Sequence, residues 1–317
     1  MITLSAQRPF RFGLEVFGAP SREHWIAKAR QAEALGYATL VIQDHLHSTL
    51  APIAAIATAA EATSTLRVGS FVFGNDFRHP VMLAQEAATL DLLSGGRLEL
   101  GLGTGYASGD YAGTGIPLDA PGVRISRLAE AVQVIKGLFA DEPLTFSGAH
   151  YTVSGLAGLP KPVQRPHPPL LIGGGAHRIL SLAAREADIV SVNIKTTAEG
   201  GFDFTSLTAE AAMKKVEWVR AAAGERLAAI ELNILVPFVV VTDNRRRAAE
   251  QALRPFGVPA ETLSVEQLLG SPSALIGTVD QIVDDLVARR ERYGFSYIVV
   301  WEPMEAFAPV VARLAGK

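Results

Sequence analysis

The run Asp91-Leu92-Leu93-Ser94-Gly95-Gly96-Arg97-Leu98-Glu99-Leu100-Gly101-Leu102-Gly103-Thr104-Gly105 reads, in order, as a helix end, a glycine stop, an apolar strand and a glycine-rich loop. A helix that feeds straight into a buried strand belongs to a repeating βα unit. In a closed parallel barrel, the loop that opens where such a strand ends lies on the ligand-binding face. This stretch constrains both the architecture and the side of the molecule on which chemistry is expected.

The same alternation runs along the chain. Strands are predicted over 10–17, 39–43, 66–73, 98–102, 170–172, 188–193, within 230–241 and over 297–301. Helices are predicted from a Ser21 cap to Leu35 and over 52–63, 80–93, 126–139, 177–187 and 209–223. A further helix runs from Thr278 through Tyr293, and a terminal one ends near Leu314. Strand interiors such as Leu40-Val41-Ile42 and Ile298-Val299-Val300 are continuously apolar, as strands covered on both faces must be. A small hairpin is expected around Ser147-Gly148, and the proline-rich run from Pro160 to Pro169 fits only an extended surface segment. The region 248–271 reads either as helix or as a lid. The predicted fold class is α/β, a (β/α)8 TIM barrel forming one domain over 1–317, with insertions after strands 4, 6 and 7. The rival is an open doubly wound sheet, which would show fewer strands and an early glycine fingerprint.

Composition narrows the partners. Lys plus Arg number 29 against 32 Asp plus Glu, a formal charge of −3, and the one basic run, Arg245-Arg246-Arg247, reads as a solvated helix start. A nucleic-acid partner is therefore not expected. The absence of Cys excludes disulfides, thiolate metal sites and a cysteine nucleophile. The first ten residues lack the pattern of a secretory signal, and no apolar run reaches the ~18 residues of a membrane span. The reading is a cytoplasmic protein with no membrane partner.

Four constellations fall at predicted strand ends. Asp44-His45 follows strand two. A histidine there is the side chain best suited to acid or base work near neutral pH, and Asp44 would fix its tautomer, accept a ligand hydrogen bond or simply cap a helix. Ser70 and Asn75, around strand three, are candidate ligand contacts, while Arg78 and His79 read as structural. Gly103-Thr104-Gly105-Tyr106 would let the backbone approach a flat ligand closely. Gly173-Gly174-Gly175-Ala176 precedes a helix, so it reads either as a phosphate cradle or as a tight ligand-free turn. Glu15 and Glu302, at the ends of strands one and eight, are either an acid/base pair or partners for rim groups. No His, Asp or Glu set has metal spacing, so no metal is expected.

Phe77-Arg78-His79-Pro80, the 90–105 run, Pro160 through Gly175 and Ile276-Gly277-Thr278-Val279-Asp280-Gln281 together resemble the bacterial-luciferase-like flavin and deazaflavin oxidoreductases. The match covers nearly the whole chain in order, and within the superfamily the chain looks like the branch using coenzyme F420. The resemblance implies a flavin-like ring bound at the C-terminal rim and a homodimer. It also implies Asp44 contacting the coenzyme, a catalytic His45, a non-proline cis peptide at Ser70-Phe71 behind the ring, and Gly173 to Gly175 on the coenzyme phosphate. The implied activity is hydride transfer between deazaflavin C5 and a small organic substrate. The alternatives are a monooxygenase using reduced FMN and O2, or a non-catalytic flavin-binding barrel. Two positions depart from the sugar-phosphate dehydrogenases of that branch. Tyr106 replaces a catalytic Glu, which makes Tyr106 a second polar candidate for catalysis, and Thr49 replaces a Trp.

Overall fold

A computed structural model describes residues 8–197, 199–259 and 262–317. The reading of the first seven residues, and of positions 198, 260 and 261 within two insertions, lies outside the described residues. Eight parallel strands close on themselves: β1 (Arg11–Val16), β2 (Thr39–Ile42), β3 (Arg67–Ser70), β4 (Leu98–Gly103), β5 (Leu170–Gly174), β6 (Ile189–Val192), β7 (Glu231–Val236) and β8 (Phe295–Val300). Each neighbours the next in chain order, and β8 returns to β1 with Arg11 opposite Tyr297 and Leu14 opposite Val300. The helices α1 (Arg22–Ala34), α2 (Pro52–Ala62), α3 (Pro80–Leu93), α4 (Pro121–Phe139), α5 (His177–Glu186), α6 (Ala209–Ala223), α7 (Val279–Tyr293) and α8 (Met304–Leu314) follow the strands in turn.

Local chemistry explains the boundaries. Ser21 caps α1 by accepting from the His24 N–H, and Thr278 with Gln281 forms a reciprocal capping box on α7. α7 stops at Gly294, whose φ of 89° is the left-handed geometry that ends helices, so β8 starts at Phe295, earlier than predicted. α4 also begins earlier than predicted, at Pro121, where proline's fixed φ suits the first helical turn.

The expected insertions are present. After β4 come a short helix, Ser108–Ala112, and a hairpin of Leu144–Ser147 with Thr152–Leu156. After β6, Lys195–Thr196 pairs with Phe202–Asp203. After β7 a small parallel sheet forms from Phe238–Val241 and Ala274–Gly277, the second a strand missed in the sequence, with short helices Arg245–Ala252 and Val265–Gly270 beside it. The region 248–271 is thus helical in part and carries its own apolar cluster around Phe238, Leu268 and Ile276.

The main core lies between strands and helices, and a smaller cluster of Val41, Phe71, Leu171, Ile189, Tyr297 and Val299 lies apart from it. At the strand starts an ionic network forms the barrel floor. Glu99 accepts from Arg11 at 2.6 Å and from Arg67 at 2.7 Å, and the Arg11 guanidinium sits 3.5 Å over the Tyr297 ring. Burial pushes the Glu99 carboxyl up, but the two guanidinium groups outweigh it and hold Glu99 below the usual carboxylate range. Among the described residues no helix is long and apolar enough to cross a membrane.

Candidate active site

The strand ends surround one cavity of about 340 Å³, within the usual range for small-molecule sites. Its lining includes Glu15 from β1, Asp44 and His45 after β2, Phe71 and Val72 after β3, Gly103 to Tyr106 at the end of β4, Gly173 to Ala176 at β5 and Trp301 after β8. Residues scattered over the sequence therefore share one rim, as expected of this fold.

His45 is held by a residue that sequence reasoning did not assign to the site. Its Nδ1 lies 2.5 Å from Asp110 Oδ2, while Asp110 Oδ1 accepts from the Leu46 N–H at 3.0 Å. Asp110 stands on the short helix after β4 and is buried. Burial pushes its carboxyl up, but the bonds from His45 and Leu46 more than offset this, so it sits below its usual range. A carboxylate partner requires the proton on Nδ1, which leaves Nε2 free for a ligand.

Asp44 plays no part in that tautomer. Both its oxygens are engaged by Arg78, one at 3.1 Å, and it also accepts from the Gly74 N–H at 3.0 Å. Arg78 holds the Asp44 carboxylate and Asp110 meets His45, which corrects the alternative in which Asp44 fixes the tautomer. Ser70 has its partners within the barrel wall. Its buried hydroxyl donates to Gly101 O at 2.8 Å and accepts from Gly101 N, tying β3 to β4, and it does not line the cavity. Asn75 is also buried off the cavity, its amide donating to the Tyr151 hydroxyl at 3.2 Å. The non-proline cis peptide is Phe71-Val72, one residue beyond the expected place.

Gly103, Thr104 and Gly105 line the cavity as expected. Gly105 has φ of 71°, and a Cβ there would meet the Tyr111 hydroxyl at 2.0 Å, so no other residue fits. Tyr106 stands edge-on to His45 with ring centres 5.7 Å apart. Burial, with Glu15 and Asp110 nearby, pushes its phenol up to about 12, which keeps it protonated near neutral pH.

Glu15 and Glu302 do not pair. Glu302 is exposed and bridges to Lys28 at 2.5 Å. Glu15 is buried, accepts from Trp301 Nε1 at 2.7 Å, and burial pushes it up to about 8.

At β5, Gly174 and Gly175 are required by packing. A Cβ on Gly174 would lie 2.4 Å from Ile179 Cγ2, and one on Gly175 would lie 2.5 Å from the Ile194 backbone. They lead into α5, whose N-cap is Ala176, a residue with no side chain to cap the helix. On the far side, the insertions after β4, β6 and β7 build an aromatic wall. Ring centres run from Tyr106 to Phe202 (5.5 Å), Phe204 (6.2 Å), Phe256 (6.0 Å) and Phe238 (5.4 Å). Buried Lys215 braces this wall by donating to Asn193 O and Ser206 O, both at 2.8 Å. The fold also gathers His45, His47 and Asp110, a cluster of metal-ligand type that local spacing could not reveal.

The chain was compared with known proteins. The family model of the luciferase-like monooxygenases matches residues 9–297. An uncharacterized protein of Mycobacterium tuberculosis (strain ATCC 25618 / H37Rv) is 29% identical over 201 residues, 56% of this chain and 70% of that protein. An F420-dependent secondary alcohol dehydrogenase, solved with an F420-acetone adduct, superposes with a TM-score of 0.76 at 19% identity, covering 96% of this chain and 99% of its own. A long-chain alkane monooxygenase superposes with a TM-score of 0.75 at 16% identity, covering 97% of this chain and 91% of its own. Identities this low establish the shared barrel fold alone. The family match spans the strands that build the rim, and the chain belongs to the luciferase-like monooxygenase family.

Proposed function

We propose that this chain is an oxidoreductase that binds coenzyme F420 at the barrel rim and moves a hydride between it and a small, apolar organic substrate. The observation that carries the proposal is the His45–Asp110 pair at one side of a cavity whose other side is a glycine turn entering the uncapped α5. The residues fit such a coenzyme. Gly173 to Ala176 offer backbone N–H groups and a helix end to a phosphate. Phe71 and Val72 offer an apolar surface, and Gly103 to Gly105 a close backbone. Asp44 lines the cavity, but its hydrogen bonds to Arg78 and Gly74 give it a positioning role.

A deazaflavin held there would supply the hydride-transfer chemistry. His45 gives the accompanying proton to, or takes it from, the substrate oxygen through Nε2. Asp110 steadies the imidazolium that forms when His45 is the acceptor. Tyr106 donates a hydrogen bond to the same oxygen. The Phe202–Phe204–Phe256–Phe238 wall favours a neutral apolar substrate. Arg124 is the one arginine or lysine among the described lining residues, and it is spent on the Gly105 and Asp119 carbonyls, which disfavours a phosphorylated substrate.

That shortage of cations also favours a second reading, a monooxygenase using reduced FMN and O2, because FMN carries a single phosphate in place of a polyanionic tail. Titration with each coenzyme, followed by ring absorbance, separates the two. The proposal expects tight F420 binding and turnover of neutral secondary alcohols or ketones without O2 consumption. Tight FMN binding with no affinity for F420 refutes the cofactor assignment. Coenzyme binding with no turnover across a broad panel points to a non-catalytic barrel. The proposed setting is cytoplasmic, and the proposed assembly is a homodimer.

A further inference from the structure

His45 and His47 lie one residue apart in the turn after β2, and their rings stack with centres 5.1 Å apart and planes inclined by 25°. Stacked in this way, both turn Nδ1 to the same carboxylate. His45 Nδ1 lies 2.5 Å from Asp110 Oδ2, and His47 Nδ1 lies 3.3 Å from Oδ1. One donor atom from each of the three residues lies within 4.8 Å of the other two. A zinc-type ion takes imidazole nitrogen and carboxylate oxygen at about 2.0–2.2 Å, which puts tetrahedral ligand atoms roughly 3.4 Å apart. Binding an ion would open the His45–Asp110 pair from 2.5 Å to that spacing and draw His47 in beside it. The donor set selects the ion class, since two imidazoles and one carboxylate suit zinc, cobalt or nickel, whereas calcium and magnesium favour oxygen alone.

We propose that His45, His47 and Asp110 form a three-ligand site for a divalent transition ion of the zinc type, with the remaining coordination position open toward the cavity that His45 and Asp110 line. The site is half-anchored. The Asp110 side chain is 3% exposed and fixed by the Leu46 N–H, whereas that of His47 is 72% exposed and free to swing onto the ion. Occupation replaces the His45–Asp110 hydrogen bond with metal bonds and removes the proton that His45 carries on Nδ1. The ion therefore acts as a brake on any chemistry that uses His45, and this consequence alone rests on the redox reading above.

The metal alone tests the site, in the full chain without coenzyme. Calorimetric titration with Zn2+ is expected to show one ion per chain, and Co2+ is expected to develop the visible absorption of a four-coordinate ion. His47→Ala, at an exposed position that leaves the fold intact, should weaken binding at least about tenfold. Asp110→Asn should weaken it as well. His167→Ala, which alters a histidine paired with Asp188 elsewhere on the molecule, should leave it unchanged. Equal affinity in wild type and His47→Ala, or no saturable binding in wild type, overturns the proposal. In turnover assays, Zn2+ should inhibit wild type, and His47→Ala should stay active but lose that sensitivity. A chain that binds Zn2+ through His47 yet turns over nothing keeps the site and removes the redox reading.

Discussion

Glu15→Gln offers a quantitative test of the rim's electrostatics. The Glu15 carboxyl is buried at the end of β1, where it accepts one hydrogen bond, from Trp301 Nε1 at 2.7 Å, and burial pushes it up from 4.5 to about 8. In the unfolded chain the group ionises near pH 4.5, but in the folded chain it keeps its proton until about pH 8. Between these values the folded state binds more protons than the unfolded state, so stability falls as pH rises and levels off above about 8. At ~1.4 kcal/mol per pH unit, the loss is roughly 3 kcal/mol at pH 7 and about 5 kcal/mol above pH 8. Glutamine keeps an acceptor for Trp301 and has no proton to lose. Unfolding free energies of wild type and Glu15→Gln, measured in denaturant from pH 5 to 9, should nearly coincide at pH 5 and diverge with the variant more stable. A constant offset across that range would show that Glu15 is already ionised in the folded protein and would refute the reasoning.

Other substitutions separate chemistry from packing. His45→Ala should cut turnover by about 10²- to 10⁴-fold while leaving coenzyme absorbance titrations nearly unchanged. Asp110→Asn should lower kcat more than it raises KM, because the amide no longer enforces the Nδ1–H tautomer of His45; a pure KM effect would argue against that role. Gly175→Ala places a Cβ 2.5 Å from the Ile194 backbone and should cost about 1–3 kcal/mol of stability, read as a lower denaturation midpoint, even without coenzyme. Glu99→Ala removes the carboxylate shared by Arg11 and Arg67 at the barrel floor, leaving Arg11 on Glu231 and Arg67 on Gln164, and should cost about 1–3 kcal/mol in the same measurement, with His45-dependent turnover little changed in whatever protein remains folded.

The barrel was legible because its signals are local. Caps, glycine stops and apolar runs placed α3 and α6 at their observed bounds and every barrel strand within a few residues. The site was legible only where a residue acts through its own position, as at Gly105 or in the α5 entry. Where partners come from different loops, sequence order hides them. Asp110 reaches His45 across 65 residues, Arg78 reaches Asp44 across 34, and Gln164 in the proline-rich run donates to buried Asp91 across 73. The Asp44-His45 dipeptide invited the assumption that neighbours in sequence are partners in space. Successive residues at a strand exit point in different directions, and each found a separate partner. The strand Ala274–Gly277 escaped because it is short and its partner, Phe238–Val241, lies beyond Pro237, where the apolar run looked like a single strand.

Glu15 and Glu99 show how differently the two ends of the barrel treat a buried carboxyl. Both are buried carboxylates on barrel strands, and burial pushes both upward. At the floor, two guanidinium groups lie against one oxygen of Glu99 and hold the carboxyl ionised, a charge-paired arrangement. At the rim, Glu15 meets an indole N–H and no cation, so it holds a proton near neutral pH. In the same cavity, Asp110 is held below its usual range by the histidine it meets. One carboxyl held protonated and another held ionised, lining one cavity, are an environment-driven separation of the kind found at proton-transfer sites.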